Sequence, residues 1–165
     1  MDVRAAVPNP SYKYQANNAS GFTLIELMVT IAVLAIIVSI AAPNVSTQLA
    51  NQRVKATAAI LANALKEAKV ESRILRQPLT VRYDDNNKMI TIQNIVSNKV
   101  VLTIASYQYN TKSTIKAATT SNQFRANKTA DPVTYNICDS NSIGTSRQIE
   151  VSSTGNIIIS IGGSC

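Results

Sequence analysis

The sequence predicts an α+β protein, in which a long N-terminal helix precedes and packs on antiparallel β-sheet. Three observations lead to this prediction. A nearly uncharged apolar run covers residues 22–42, a helical spacing of apolar residues continues to Arg76, and the residues after Pro78 are rich in β-branched side chains. One helix followed by several strands is the pattern of an α+β domain.

Size and composition restrict the possible functions. The residues from Asn44 to Cys165 are enough to bury one ordinary core, so a second domain is not required. The 16 Lys and Arg against 9 Asp and Glu give a net charge of +7, which permits an anionic partner without requiring one. The sequence has no His and only two Cys, which excludes an ordinary zinc site and a His-based nucleophile relay. We therefore predict neither a cofactor nor an enzymatic activity.

The apolar run is long enough to cross a membrane as a helix, which takes about 20 residues. Its one charged residue is Glu26, and a carboxylate inside a bilayer costs about 3 kcal/mol unless a partner is supplied. An ordinary single-pass anchor leaves this acid unexplained. A secretory signal peptide would have a basic segment before the run and a cleavage site such as Ser39-Ile40-Ala41 within it, but the preceding residues, ANNASG, are uncharged.

The beginning of the run, GFTLIELMVTIAVLAII, resembles the class III signal of type IV pilins and type II secretion pseudopilins. Residue types and spacing agree at Gly21, Phe22, Thr23, Leu24 and Glu26, and Pro43 stands where pilins have a helix-bending proline. The resemblance implies that a prepilin peptidase cuts between Gly21 and Phe22. It also implies that the new amine of Phe22 is methylated.

This resemblance divides the chain into three parts. Residues 1–21 would be a leader peptide on the cytoplasmic side, residues 22–43 a transmembrane and filament-core helix, and residues 44–165 a periplasmic amphipathic helix with a β-rich head. In a filament the carboxylate of Glu26 is expected to pair with the Phe22 amine of a neighbouring subunit. Because a buried unpaired charge is strongly destabilising, such pairing would favour one axial register during assembly.

Beyond the apolar run the helix is expected to be amphipathic and to end at Arg76, because Pro78 disfavours helical geometry in the residue before it. Its predicted core face repeats every three, four or seven residues. The members of that face are Val54, Ala58, Leu61, Leu65, Ala68 and Leu75.

The second half of the chain is predicted to be strands. LTVRY and MITIQNIV flank a turn over residues 84–88, and a second turn lies at Thr154-Gly155-Asn156. The other predicted strands are KVVLTIASYQY, VTYNIC, RQIEVS and NIIISI.

Cys138 and Cys165 are the only cysteines, and in a chain that crosses a membrane they most simply form one disulfide, the alternative being two buried thiols. The spacing of residues from Ala62 to Val81 resembles the minor pilin and pseudopilin group that contains FimU, FimT and GspH, most of all its FimU-like members. Those members carry paired cysteines near the end of the chain, in agreement with the disulfide.

Two other clusters invite a binding function. Asp84-Asp85 and Asp139-Ser140-Asn141 lack the ligand spacing of a calcium loop and are expected to be solvated surface. A stretch without acids, residues 86–130, has cations interleaved with Tyr107, Tyr109 and Phe124, a composition that suits nucleic acid. The candidate DNA contacts are Lys112, Lys116, Arg125 and Lys128.

The function expected from the resemblance is that of a minor pilin, a structural subunit that primes or caps a type IV pilus and so supports twitching motility, adhesion or DNA uptake. Its partners would be other minor and major pilins, prepilin peptidase and the bacterial inner membrane, with nucleic acid a weaker prospect. The alternatives are a GspH-like pseudopilin of type II secretion, a FimT-like DNA-binding pilin, and a processed soluble periplasmic binding protein that begins at Ala42.

Overall fold

The computed structural model describes residues 21–96 and 99–165, except for the side chains of residues 41–44 and 101. The chain forms one long helix followed by eight strands, and it divides into two compact units after Ser39. The predicted α+β fold is confirmed. The elements are α1 (Leu24–Ile74), β1 (Leu79–Asp84), β2 (Met89–Val96), β3 (Lys99–Gln108), β4 (Ser113–Ala117), β5 (Ser121–Phe124), β6 (Val133–Asp139), β7 (Arg147–Val151) and β8 (Ile157–Ile161).

Helix α1 ends two residues before the predicted boundary at Arg76. Arg76 has a φ of 53°, and the N–H of Gln77 donates to the carbonyl of Ser72 over 3.2 Å. This is the arrangement of a left-handed helix cap, which turns the chain toward β1. Leu75 therefore lies outside the helix and is 44% exposed, so its assignment to the core face was wrong. The predicted bend at Pro43 falls on residues 41–44, whose side chains lie outside the described part of the structure, so it stays a prediction.

The strands form two antiparallel sheets of four. Sheet A has the order β3-β2-β1-β5, and sheet B has the order β4-β6-β7-β8. The turn over residues 84–88 joins β1 to β2, as predicted, and Gly155 takes a φ of 67° in the turn between β7 and β8. β4 and β5 were not predicted, because STIKA and SNQF are short and largely polar.

The core of the second unit lies between α1 and the two sheets. Apart from Leu75, every residue of the predicted helix face is buried. The sheets contribute alternate residues, as the period of a half-buried strand requires. The largest fully buried side chains of the strands are Tyr135, Phe124, Leu79, Ile90, Ile92, Ile137, Ile149, Val81 and Val151.

Candidate assembly site

The predicted cleavage position lies in the non-helical residues 21–23, which precede α1. Among the described residues, and apart from its chain neighbours, no atom lies within 4 Å of the position that a Cβ on Gly21 would take. Phe22 is highly exposed. The peptide bond between Gly21 and Phe22 is thus sterically accessible, whereas cleavage and methylation themselves stay predictions.

Thr23 caps the helix N-terminus, and Glu26 lies in its first turn. The N–H of Glu26 donates to Thr23 Oγ1 over 3.2 Å, and the N–H of Leu27 donates to the Thr23 carbonyl over 3.2 Å. Thr followed by Glu three residues later is the sequence pattern of a capping box. A carboxylate in the first turn also interacts favourably with the helix dipole. Among the described residues, no cation lies within ion-pair distance of Glu26.

Apolar side chains cover every side of α1 between Phe22 and Ile40, and all of them are exposed. The hydroxyls of Thr30 and Ser39 donate within the helix, to the carbonyls of Leu27 and Ile36, each over 2.8 Å. Their polar groups are therefore satisfied without water. A helix that is apolar on all sides needs an apolar surrounding, which a bilayer or a bundle of like helices supplies.

By length and apolarity, no single helix among the described residues qualifies as a membrane span. The segments Leu24–Ile40 and Val45–Ile74 qualify only when they are taken together across the residues between them.

The four candidate DNA-binding cations do not form one free surface. Arg125 is paired with Asp131 over 2.7 Å, and Lys116 Nζ donates to the carbonyl of Cys165. Lys112 and Lys116 lie at sheet B, whereas Arg125 and Lys128 share the turn after β5. Two of the interleaved aromatics, Tyr109 and Phe124, are buried and therefore cannot stack on bases. The hydroxyl of Tyr107, which is half-buried, donates to Glu67.

Asp85 joins the two sheets and is not simply solvated. Its carboxylate accepts hydrogen bonds from Lys88 Nζ (2.9 Å), the Tyr109 hydroxyl (2.7 Å) and the N–H of Ile115 on β4 (3.0 Å). Burial disfavours the charged carboxylate, but the bonds from Ile115, Lys88 and Tyr109 outweigh it and lower the pKa of Asp85. Asp84 caps its own turn by accepting from Asn86 and Asn87.

Asp139 is buried, so the expectation of a solvated surface was wrong for it. Its carboxylate lies 3.4 Å from Arg53 Nε on α1 and accepts the N–H of Asn141 over 3.2 Å. Nearby, the N–H of Thr145 donates to Asn51 over 2.7 Å. The segment between β6 and β7 is thus fixed to α1.

Within the described part of the chain, no group of three or more His, Cys, Asp or Glu side chains is placed to hold a metal.

The chain matches one family model and several solved structures. Residues 16–42 match the prokaryotic N-terminal methylation motif. The type IV minor pilin FimU of Pseudomonas aeruginosa superposes with a TM-score of 0.58 at 19% identity, covering 66% of this chain and 89% of FimU. The minor pseudopilin EpsH of the Vibrio cholerae type II secretion system superposes with a TM-score of 0.58 at 12% identity, covering 68% of this chain and 99% of EpsH. No curated protein sequence matches the chain.

The chain has the pilin fold. At these identities the likeness establishes the architecture alone. The structure pairs Cys138 with Cys165, as expected. Within this pilin fold the disulfide fixes a strap over residues 162–165 that crosses the outer side of sheet B. Gly162 donates its N–H to Ser146, and the carbonyl of Gly163 accepts from the Ser146 hydroxyl.

Little in the local sequence predicts the pair between Arg53 and Asp139. Arg53 lies beside Val54 on the helix, and Asp139 directly follows Cys138 at the end of a strand. The one local signal is the position of Asp139 next to a cysteine expected to be in a disulfide, which places the acid in an ordered segment.

Proposed function

We propose that this chain is a minor pilin, a non-enzymatic subunit that enters a type IV pilus and primes or caps its assembly. The observation that carries the proposal is the exposed segment Phe22–Ile40, which is apolar on all sides and has one acid, Glu26, in its first turn. The methylation motif over residues 16–42 and the pilin fold support it. Among the described residues of its unit this segment has no apolar partner, and it is suited to a bilayer and then to a bundle of like helices.

In this proposal the chain is anchored in the inner membrane before assembly, with residues 44–165 in the periplasm. Prepilin peptidase removes residues 1–21, and the methylated amine of Phe22 becomes available to the Glu26 carboxylate of a neighbouring subunit. The Cys138–Cys165 disulfide fits the oxidising periplasm. Incorporation at the filament tip would then support twitching motility, adhesion or DNA uptake.

A second candidate is a minor pseudopilin of a type II secretion system. It is favoured by the superposition on EpsH, whose TM-score equals that of FimU and which covers a slightly larger share of this chain. The DNA-binding alternative has less support, because Arg125 and Lys116 are already engaged and the aromatics beside them are occupied.

Mass spectrometry of sheared filaments separates the two assembly functions when it is combined with a deletion strain. For a minor pilin we expect the chain in the sheared pilus fraction, and we expect the deletion to reduce surface pili while secretion continues. Loss of secretion with normal piliation would favour the pseudopilin. Absence of the chain from both assemblies would refute the proposal.

A further inference from the structure

The two sheets together have four outer edges, β3 and β5 in sheet A and β4 and β8 in sheet B. An edge strand presents unpaired N–H and C=O groups, which can pair with a strand of another chain. Proteins usually prevent this pairing by covering the edge, by a bulge or by a lysine. The four edges of this protein differ in how far they are protected.

The edge of β4 is closed by the turn between β1 and β2. The carboxylate of Asp85 accepts the N–H of Ile115, and Lys88 Nζ donates to the carbonyl of Ser113, each over 3.0 Å. These side chains occupy backbone groups that would otherwise be available to a new strand. Lys116 adds a charge to the same strand.

The edges of sheet A are protected as well. Residues 129–131 run beside β5, where Asp131 donates its N–H to Gln123 over 3.1 Å and Arg125 donates to Thr129 over 2.9 Å. The pairing of β3 with β2 has two register shifts, which indicate bulges, and β3 begins with Lys99. Bulges and a lysine both discourage edge pairing.

The edge of β8 has none of these protections within the described residues. Two hydrogen bonds fix which of its backbone groups face β7: Gly162 donates to Ser146, and Ser152 donates to the Asn156 carbonyl, each over 2.9 Å. In an antiparallel pair, bonding residues alternate along each strand. With the observed register, residues 156, 158, 160 and 162 face β7. The N–H and C=O groups of Ile157, Ile159 and Ile161 therefore point outward from the edge.

The side chains of β8 also fit an apolar partner. Ile158, Ile159 and Ile161 are 53%, 42% and 72% exposed, although each is a large apolar residue. No charged residue occurs from Ser152 to Gly163. An uncharged, β-branched edge with open backbone groups is matched by an extended strand of the same character.

We propose that the open edge of β8 is an interaction surface that accepts an extended, uncharged, β-branched strand from a different protein chain. The added strand bonds to the backbone of Ile157, Ile159 and Ile161 and extends sheet B. Because every pairing in sheet B is antiparallel, the added strand runs antiparallel to β8. It covers Ile159 and Ile161 on one face and Ile158 on the other.

A second copy of the chain does not fit this edge. Within the second unit, β8 runs opposite to α1. Gly155, just before β8, lies near the later part of the helix, since a Cβ on it would be 3.7 Å from Lys69 Cε. Just after β8, Gly162 donates to Ser146, and the adjacent Thr145 donates to Asn51 in an earlier part of the helix. Antiparallel pairing of two β8 strands is also an isologous contact, which needs a two-fold axis between the two copies. Neighbouring copies in a filament are related by a screw operation and make heterologous contacts, an argument that rests on the proposed function.

The test uses the full-length chain in the bacterium that produces it. A photo-crosslinking amino acid replaces Ser160. The backbone of this residue bonds β7, so the replacement leaves the outward backbone groups of Ile157, Ile159 and Ile161 free. We expect an adduct with a different protein chain. The variant Ile159→Pro removes an outward N–H and no bond to β7, and it should reduce the adduct by about tenfold. Ile159→Thr keeps the N–H and β-branching and should keep most of the adduct.

Ile159→Lys gives a second way to block the edge, by adding a charge without altering the backbone, and it should also reduce the adduct by about tenfold. An adduct with a second copy only, no adduct, or an adduct unchanged in Ile159→Lys would overturn the inference. The mass of the mature chain is measured in the same cells. If the chain begins at methylated Phe22 but no adduct forms, only the edge inference fails; if the leader is retained, the proposed function fails.

Discussion

The two halves of helix α1, Leu24–Ile40 and Val45–Ile74, contrast in how far their apolar side chains are exposed. Leu34, in the first half, is 58% exposed, whereas Leu61, in the second half, is fully buried. Both are leucines within one helix. The difference is that the second half presents one apolar face to two sheets of its own chain, while the first half presents apolar residues on all sides to its surroundings.

Among the described residues, the first half thus has no apolar partner of its own chain. Burial of a leucine side chain is worth about 2 kcal/mol, so a helix that leaves so many large apolar residues exposed is stable only in a bilayer or among other helices. The second half contributes to the core of the second unit, and the first half is the part of the helix that the proposed function assigns to assembly. Mutations in the two halves should therefore have separate consequences.

Glu26→Ala should produce the largest effect, near-complete loss of the chain from sheared filaments. The reason is that an amine of a neighbouring subunit would be buried without its counter-ion, which costs about 3–5 kcal/mol. The measurement is quantitative mass spectrometry of the sheared fraction. The stability of the head should not change, since Glu26 lies outside the second unit.

Thr23→Ala serves as the control for the local role of Glu26 in capping the helix. It removes the Thr23 hydroxyl that accepts the Glu26 N–H, and it should cost about 1 kcal/mol of helix stability. We expect it to reduce incorporation only slightly. Equal loss in Thr23→Ala and Glu26→Ala would mean that the acid acts through the helix end and not through a neighbouring subunit.

A pair of leucine variants sharpens the contrast between the halves. Leu61→Ala should lower the free energy of unfolding of the head by about 2–5 kcal/mol, because it leaves a cavity in the core. Leu34→Ala should leave the unfolding free energy of the head within about 0.5 kcal/mol of wild type. Urea unfolding of the full-length chain in mild detergent measures both. A comparable loss in Leu34→Ala would show that the head depends on the first half.

Removal of the disulfide should weaken the head by about 3 kcal/mol. The Cys138–Cys165 bond closes a loop with a sequence separation of 27, and the loss of that closure increases the entropy of the unfolded chain. The double variant Cys138→Ser and Cys165→Ser, compared with wild type by urea unfolding, gives the value. Reduction of wild type by dithiothreitol should reproduce it, and a variant as stable as wild type would contradict the expectation.

Asp85 should give the smallest effect, and the effect should depend on pH. The pKa of Asp85 is lowered in the folded chain from its ordinary value of 3.8, so its contribution to stability is present above that value and is lost as the pH falls through the lowered pKa. Asp85→Asn should therefore be less stable than wild type at about pH 5–7. The difference should shrink toward about pH 2–3. A difference that grows at low pH would contradict this sign.

Much of the fold could be predicted because its signals are local. The apolar run is recognised by its length, the core face from Val54 to Ala68 by its helical period, and six of the strands by their β-branched residues. β4 and β5 have none, since their pairing with β6 and β1 is decided by distant parts of the chain.

The candidate sites were less predictable, because several of their contacts join distant parts of the chain. Gly21, Phe22 and Glu26 were recognised from a local motif, and their roles remain proposals. The contacts of Asp139 with Arg53, and of Asp85 with β4, join residues far apart in sequence. The open edge of β8 is visible only when the protection of all four edges is compared in three dimensions.

The central claim is that the chain is cleaved before Phe22 and that the first half of α1 then enters an assembly. The intact mass of the mature chain tests this claim most directly. The account predicts a product that begins at Phe22, carries one added methyl group and retains the Cys138–Cys165 disulfide. A product that keeps residues 1–21, or one that begins at Ala42, would contradict it.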